Sequence, residues 1–458
     1  MRKLIPFLSL ILLLGCSEPQ SQTPPPDQPN IIIIFADDLG YGDLGVYGHP
    51  TIATPHLDQM AAEGMKLNQF YAAASVCTPS RAGLMTGRLP IRSGMCSAKR
   101  RVLFPDSDGG LPESEITIAE GLRELGYATA CIGKWHLGHF SPHLPTDAGF
   151  DEYFGIPYSN DMSPEQSKWE GGKRFPALPL LDGDSLLEVE PDQRQLTRRY
   201  TERALDFIER HQDQPFFLYF PHTFPHVPLY ANPDFEGKSA RGLYGDVVEE
   251  MDWSVGQIIA KLKQHGLERN TLVVFTSDNG PWLVMKENGG SAGLLRQGKA
   301  SSWEGGQREP CIAYWPGVIA AGSTSQAISS TMDLLPTCFA LGGAALPNDR
   351  VIDGKNLMPV LKGEQAQLHT NFPYYLGSEL SAFRSGEWKI HFQTLTPYVG
   401  EKAVKHDPPL LYNLHHDPSE TTNLAEEEPE IVARLVQEAQ TFENSVEAAP
   451  SQLEKRLE

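Results

Sequence analysis

The chain has 458 residues, 40% of them hydrophobic, with 41 Gly, 37 Pro and a formal net charge of −20. That length predicts two or three domains around a large core. The charge argues against nucleic acid or an anionic lipid surface as a partner.

Chain order begins with "MRKLIPFLSLILLLGC": Arg2 and Lys3, a short apolar run, then Gly15-Cys16. The run is too short to cross a bilayer as a helix and reads as a signal peptide. Its ending marks residues 1–16 as a lipoprotein-type signal with Cys16 lipidated; an ordinary secretory signal is the alternative. The expected location is outside the cytoplasm, anchored by lipid in the periplasm or outer membrane of a Gram-negative bacterium. Residues 17–30 are a Pro-rich tether. Residues 31–355 read as a catalytic domain and 356–458 as a small C-terminal domain.

Four apolar runs then each end in a polar cluster. "IIIIFADD" ends at Asp37-Asp38, "YATACIGKWH" at Lys134 and His136, "FFLYFPHTFPH" at His222 and His226, and "TLVVFTSDNG" at Asp278-Asn279. Continuous apolar runs predict strands buried on both faces, as in a mainly parallel sheet. Sites in such sheets lie beyond the carboxyl ends of the strands, so four polar ends predict one site. Helices are predicted between the runs. One follows Thr54-Pro55, one is capped by Thr117 with Glu120 three residues on, and one runs from Tyr244 to a stop at Gly266. The expected fold is therefore α/β, a large mainly parallel sheet flanked by helices. Beyond residue 356, "NFPYYLGSELSAFRSGEWKIHFQT" predicts two or three antiparallel strands, and "PEIVARLVQEAQTFENSVEA" a surface helix. This second unit reads as α+β.

Asp37, Asp38, Asp278 and Asn279 offer hard oxygen ligands from two strand ends, suited to Ca²⁺ or Mg²⁺ rather than zinc. Arg81, Lys134, His136, His226, Lys299 and Arg308 form a candidate cationic set in an acidic protein, which implies a tetrahedral oxyanion. No H-E-x-x-H helix is present. Of the six Cys, none forms a CxxC pair. Cys131 and Cys311 sit in apolar runs, Cys96 and Cys338 fit either core or disulfide, and Cys77 stands apart in "SVCTPSRAGLMTGRLP". A soft thiolate matches a hard-oxygen metal poorly, so an oxygen nucleophile fits better.

"CTPSR" at 77–81 with "AGLMTGRLP", and "GYATACIGKWHLG" at 126–138, resemble the two signatures of the type I sulfatases. "FADDLGYGDLGVYGHP", "FTSDNGP" and "GKASSWEGGQREP" match further blocks, and the likeness runs from about residue 30 to "LLYNLHHDP", nearest the arylsulfatase A branch. The resemblance implies an alkaline-phosphatase-like sandwich and a sulfuric ester hydrolase. It implies that a separate maturating enzyme oxidises Cys77 to Cα-formylglycine, whose hydrate carries two hydroxyls on one carbon. One attacks sulfur and displaces the alcohol; deprotonation of the other then expels sulfate by C–O cleavage.

By the same resemblance Asp37, Asp38, Asp278 and Asn279 hold calcium, with modified Cys77 completing the shell and Mg²⁺ as the alternative ion. Arg81 holds the diol. Lys134 and Lys299 bind sulfate, Lys299 or His226 protonates the leaving oxygen, and His136 deprotonates the second hydroxyl. Ser159 contacts sulfate, and His406 matches a position near substrate. The chain departs from the arylsulfatase A pattern at Asn160 and Gln297, where that pattern has His and a disulfide-forming Cys. Expected substrates are aryl sulfates, sulfated sugars or sulfolipids. The competing readings are a phosphate or phosphonate monoester hydrolase of the same superfamily, and a non-catalytic binder of sulfated glycans.

Overall fold

Every residue of β1 (Asn30–Ala36) is buried, and its side chains alternate between two cores. Ile31, Ile33 and Phe35 enter one; Ile32, Ile34 and Ala36 enter the other. A strand with no solvent face needs layers on both sides, and full burial of each large apolar side chain stabilises by roughly 1.5–3 kcal/mol. The computed structural model describes residues 28–164, 175–398 and 402–457. The signal and all but the end of the tether lie outside the described residues.

β1 belongs to an 11-stranded sheet. The other strands are β2 (Met65–Tyr71), β3 (Ala128–Ile132), β4 (Glu152–Gly155), β5 (Pro179–Asp182), β6 (Ser185–Val189), β7 (Phe216–Pro221), β8 (Thr271–Ser277), β9 (Arg308–Tyr314), β10 (Ser323–Ser325) and β11 (Ser329–Ser330). The order is β10-β2-β9-β8-β1-β7-β3-β4-β5-β6, with β11 beside β2. The centre from β8 to β4 is parallel, as the apolar runs predict. The sheet as a whole is mixed: β9 runs antiparallel between β2 and β8, and β5 and β6 form an antiparallel edge.

Helices cover both faces. α1 (Pro55–Glu63), α4 (Leu196–Arg210) and α5 (Leu243–Gln264) pack on one; α2 (Cys77–Thr86), α3 (Ile118–Arg123) and α7 (Leu334–Gly342) pack on the other. The α3 start carries the expected reciprocal cap between Thr117 and Glu120. Two short helices, α6 (Glu304–Gln307) and α8 (Met358–Leu361), flank α7 in sequence.

The C-terminal unit is a four-stranded antiparallel sheet, one strand more than the largest sequence expectation: β12 (Asn371–Leu376), β13 (Glu379–Ser385), β14 (Trp388–Thr394) and β15 (Val404–Asn413). β15 contains Pro408-Pro409, which hides it from strand patterning; as an edge strand with an irregular register it tolerates them. α9 (Pro429–Asn444) covers this sheet. Its core is shared with the large domain, since Tyr71, Ala73 and Leu89 pack with Phe372, Tyr374 and Leu411. The five described cysteines are buried and unpaired.

Candidate active site

Three parallel strands of the central sheet end together. Asp37 and Asp38 follow β1, Lys134 and His136 follow β3, and Asp278 and Asn279 follow β8. Cys77 opens α2, a ten-residue helix in which every residue is buried. Its cap, Val76, offers no side-chain hydrogen bond, so the first-turn N–H groups face the site with the positive end of the helix dipole. Gly83 lets α2 seat this deeply, since a Cβ there would meet the Ala73 Cβ at 2.3 Å.

The carboxylates crowd together and are fully buried. The Asp278 carboxylate takes two bonds from Arg81, at 3.0 Å from Nε and 2.8 Å from Nη2, and accepts from the Asp38 backbone N–H at 3.1 Å. Arg81 also donates to the Lys134 carbonyl at 2.7 Å. Lys134 donates to Asp37, and to Ser159 Oγ at 3.2 Å. Lys299 Nζ lies 2.7 Å from Asp38 and 3.6 Å from Cys77 Sγ, and Cys77 Sγ lies 3.5 Å from Asp37 Oδ1. His226 Nε2 stands 3.4 Å from Ser159 Oγ and 3.6 Å from Asp38.

Burial and the neighbouring Asp37 push Asp278 up to about 7. Burial also raises Asp38, whereas Lys134, Arg81 and Lys299 together outweigh burial and hold Asp37 below the usual carboxylate range. Burial pushes the Cys77 thiol far up, which leaves it a poor thiolate nucleophile at neutral pH. Burial opposes charge on Lys299, yet Asp38 prevails and holds the ammonium well above its ordinary range.

The donor set fits a divalent cation. Asp37, Asp38, Cys77 and His226 offer ligand atoms within 4.8 Å of one another. Asn279 donates its amide N–H to Asp38 at 2.7 Å and leaves Oδ1 buried without a partner, a hard oxygen of the kind such an ion takes.

His136 adopts a left-handed backbone, φ +64°. Its Nε2 faces the Leu103 carbonyl at 2.9 Å and must donate, because a carbonyl only accepts. Nδ1 is therefore a lone pair, buried and without a partner, and burial holds the ring neutral. His226 is also neutral by burial, with Nδ1 turned to the Val227 carbonyl.

A cavity of about 630 Å³ opens above these groups, with Cys77, His136, Ser159, His226 and Lys299 in its floor and walls. Two of the singled-out residues lie elsewhere. His406 sits on β15, its ring bonded to Thr394 Oγ1 at 2.9 Å, and does not line the cavity. Arg308 turns away to Glu304, at 3.5 Å. The sequence reading passed over Trp282, which packs at a tilt against His226 at 5.4 Å and lies under the Lys299 ammonium at 4.6 Å. Its position just after "SDNGP" was the only signal. It also passed over Tyr375, Glu379, Gln393 and Tyr398, cavity walls from the C-terminal unit that no motif marks.

The model of the sulfatase family matches residues 29–344, and that of the C-terminal region of aryl-sulfatase matches 367–457. The chain belongs to the sulfatase family. It is 43% identical over 446 residues to arylsulfatase A of Bos taurus, covering 91% of this chain and 87% of that one. Against N-acetylgalactosamine-6-sulfatase of Canis lupus familiaris the identity is 42% over 434 residues, covering 86% and 81%. The crystal structure of Ps i-CgsB in complex with k-i-k-neocarrahexaose superposes with a TM-score of 0.78 at 30% identity, covering 93% of this chain and 94% of that one. This sulfatase is thus a sulfuric ester hydrolase with the family's formylglycine and divalent-metal chemistry.

Proposed function

We propose that this sulfatase removes sulfate from sulfated carbohydrates, using calcium and a formylglycine made from Cys77 by a dedicated maturating enzyme. The observation that carries the reaction is the placing of Cys77 at the start of α2, between Asp37 at 3.5 Å and Lys299 at 3.6 Å. A sugar substrate is supported by the mixed lining of the cavity, where the polar Arg101, Glu379 and Gln393 join the paired rings of Trp282 and Tyr398. It is supported also by relatives whose names specify N-acetylgalactosamine 6-sulfate and a carrageenan oligosaccharide. Asp37, Asp38, Asp278 and Asn279 would hold calcium, preferred over Mg²⁺ because a crowded oxygen set suits its larger, looser shell. Bound there, it would supply Lewis-acid chemistry.

The chain's own groups divide the remaining work. Lys134, Ser159 and the α2 N-terminus bind sulfate oxygens and offset their charge. Arg81, fixed by Asp278 and the Lys134 carbonyl, orients the base of the nucleophile. His136 Nδ1 is the acceptor for the proton of the second hydroxyl. Lys299 gives the proton to the leaving oxygen. His226, neutral with its lone pair at Nε2, accepts a hydrogen bond instead of supplying that proton. Residues 1–16 would export the protein and Cys16 would anchor it by lipid outside the cytoplasm; among the described residues no helix is long and apolar enough to cross a membrane.

The test is mass spectrometry of the Cys77 peptide from native-host protein, beside turnover of sulfated monosaccharides, an aryl sulfate and an aryl phosphate. The expected result is an aldehyde-bearing peptide lighter than the thiol form, sulfate release from at least one sugar, and no turnover by Cys77→Ala. A fully active Cys77→Ala protein would sink the mechanism. Activity on the aryl phosphate alone would sink the substrate class.

A further inference from the structure

Lys299 reaches the site on a loop that ends, five residues later, at Glu304, the first residue of α6. The Glu304 carboxylate is fully buried and saturated with donors. Tyr71 of β2 donates to Oε2 at 2.6 Å; Tyr374 of β12 and Lys389 of β14 donate to Oε1 at 2.7 and 2.9 Å. Its backbone N–H donates to Glu420 Oε2 at 2.7 Å. Glu420 in turn holds Lys389 at 3.1 Å and His391 Nε2 at 2.7 Å. The His391 ring packs at a tilt against Trp303 at 4.3 Å and faces Ser302 Oγ at 3.5 Å. Three consecutive residues of the lysine loop, Ser302, Trp303 and Glu304, are thus gripped by the C-terminal unit.

None of these groups touches the reacting atoms, and burying so many charges is an expensive way to dock two domains. Apolar packing of the same volume commonly serves as well or better. What directional bonds add is position, to the fraction of an ångström that proton transfer requires. Two further bonds pin the loop itself: Lys299 N to the Pro281 carbonyl at 3.0 Å and Ala300 N to the Ser75 carbonyl at 2.7 Å. Ser75 lies two residues before Cys77, so the loop is referenced to the nucleophile at one end and to β14 at the other. Lys389, His391 and Gln393 alternate along β14; the first two hold the loop, and the third lines the cavity.

We propose that Glu304 is a positioning residue for Lys299, and that Lys389 and His391 of the C-terminal sheet thereby set the proton donor of the reaction. The inference rests on Lys299 protonating the leaving oxygen. Proton donation matters most when the leaving group is a poor one, such as a sugar alkoxide, and least for an activated phenol. A displaced Lys299 would then weaken catalysis selectively.

The experiment compares Glu304→Gln, Lys389→Met and Tyr374→Phe with the parent and with Lys299→Ala, all full-length and matured. Substrates are aryl sulfates of graded leaving-group acidity and a sulfated sugar. In Glu304→Gln and Lys389→Met, kcat/KM for the sugar should fall roughly ten- to hundredfold, with nitrophenyl sulfate turnover within about threefold of the parent. Tyr374→Phe deletes one hydrogen bond, keeps the ring, and should show the same slope at smaller amplitude; it serves if the charge variants do not fold. A loss equal across leaving groups, or none, in the folded variants overturns the inference. If Lys299→Ala is itself insensitive to the leaving group, the proton-donor role fails and this inference with it. A steep Lys299→Ala beside a flat Glu304→Gln overturns the positioning role alone.

Discussion

His136 shows how a single side chain is prepared for its task. Its strained backbone, its Nε2–H on the Leu103 carbonyl and its unpartnered Nδ1 leave one tautomer and one free lone pair. On the proposed mechanism that lone pair serves the second half of the reaction, after the alcohol has left. His136→Ala should therefore release about one equivalent of alcohol per enzyme in a burst, then turn over roughly 10²–10³-fold more slowly. Rapid-quench measurement with an aryl sulfate checks this, and a uniform slow rate without a burst argues against the assignment. The residue was legible in the sequence because "GKWH" follows an apolar run. Its tautomer was not, because Leu103 lies 33 positions away. Likewise Asp37, Asp38, Asp278 and Asn279 could be listed from strand ends, whereas Trp282 as a wall needed coordinates.

Among the elements, α5 illustrates both a success and a blind spot of pattern. Its apolar spacing and Gly266 exit forecast the helix, and the structure runs it from Leu243 to Gln264. Pattern does not reveal that Glu250 lies on the buried face. There it accepts one bond, from the Asn232 N–H at 2.8 Å, and its Oε1 has no partner. Burial pushes its carboxyl from 4.5 to about 7. The folded state thus favours the protonated acid, so this group's contribution is full below pH 4.5 and is lost as pH rises towards 7. Glu250→Gln should stabilise the protein by on the order of 2 kcal/mol at pH 8, with no gain below the unfolded pKa. Urea unfolding across that range checks it; a gain independent of pH would contradict the linkage. The β5–β6 edge was missed for the opposite reason. Leu186, Leu187 and Val189 are exposed, so no alternation of burial marks the strand.

For the whole molecule, the change in sequence character near residue 356 made a second unit visible, but not its union with the first. A seam made by Tyr71, Glu304 and Lys389 joins residues hundreds of positions apart and leaves no local trace. Removing the C-terminal unit strips partners from the buried Glu304, and breaking a buried pair costs about 3–5 kcal/mol. It also bares the apolar cluster around Ala73, Leu89 and Ile91. Residues 28–355 expressed alone should be insoluble or lack cooperative unfolding, judged by soluble yield and thermal melting. A soluble, cooperatively folding fragment would show that the seam contributes little.

The depth of α2 also imposes an order of events. Cys77 is only 2% exposed and none of its helix neighbours reaches solvent, so no enzyme can read Cys77-Thr78-Pro79-Ser80-Arg81 in the finished fold. On the proposed maturation, oxidation would have to come while this stretch is still extended, in a race against the closing of the sheet around it. A chain that folded first would stay a thiol. Maturating enzyme should therefore convert a synthetic peptide spanning residues 72–88 and leave the folded thiol protein untouched, with unfolding restoring access.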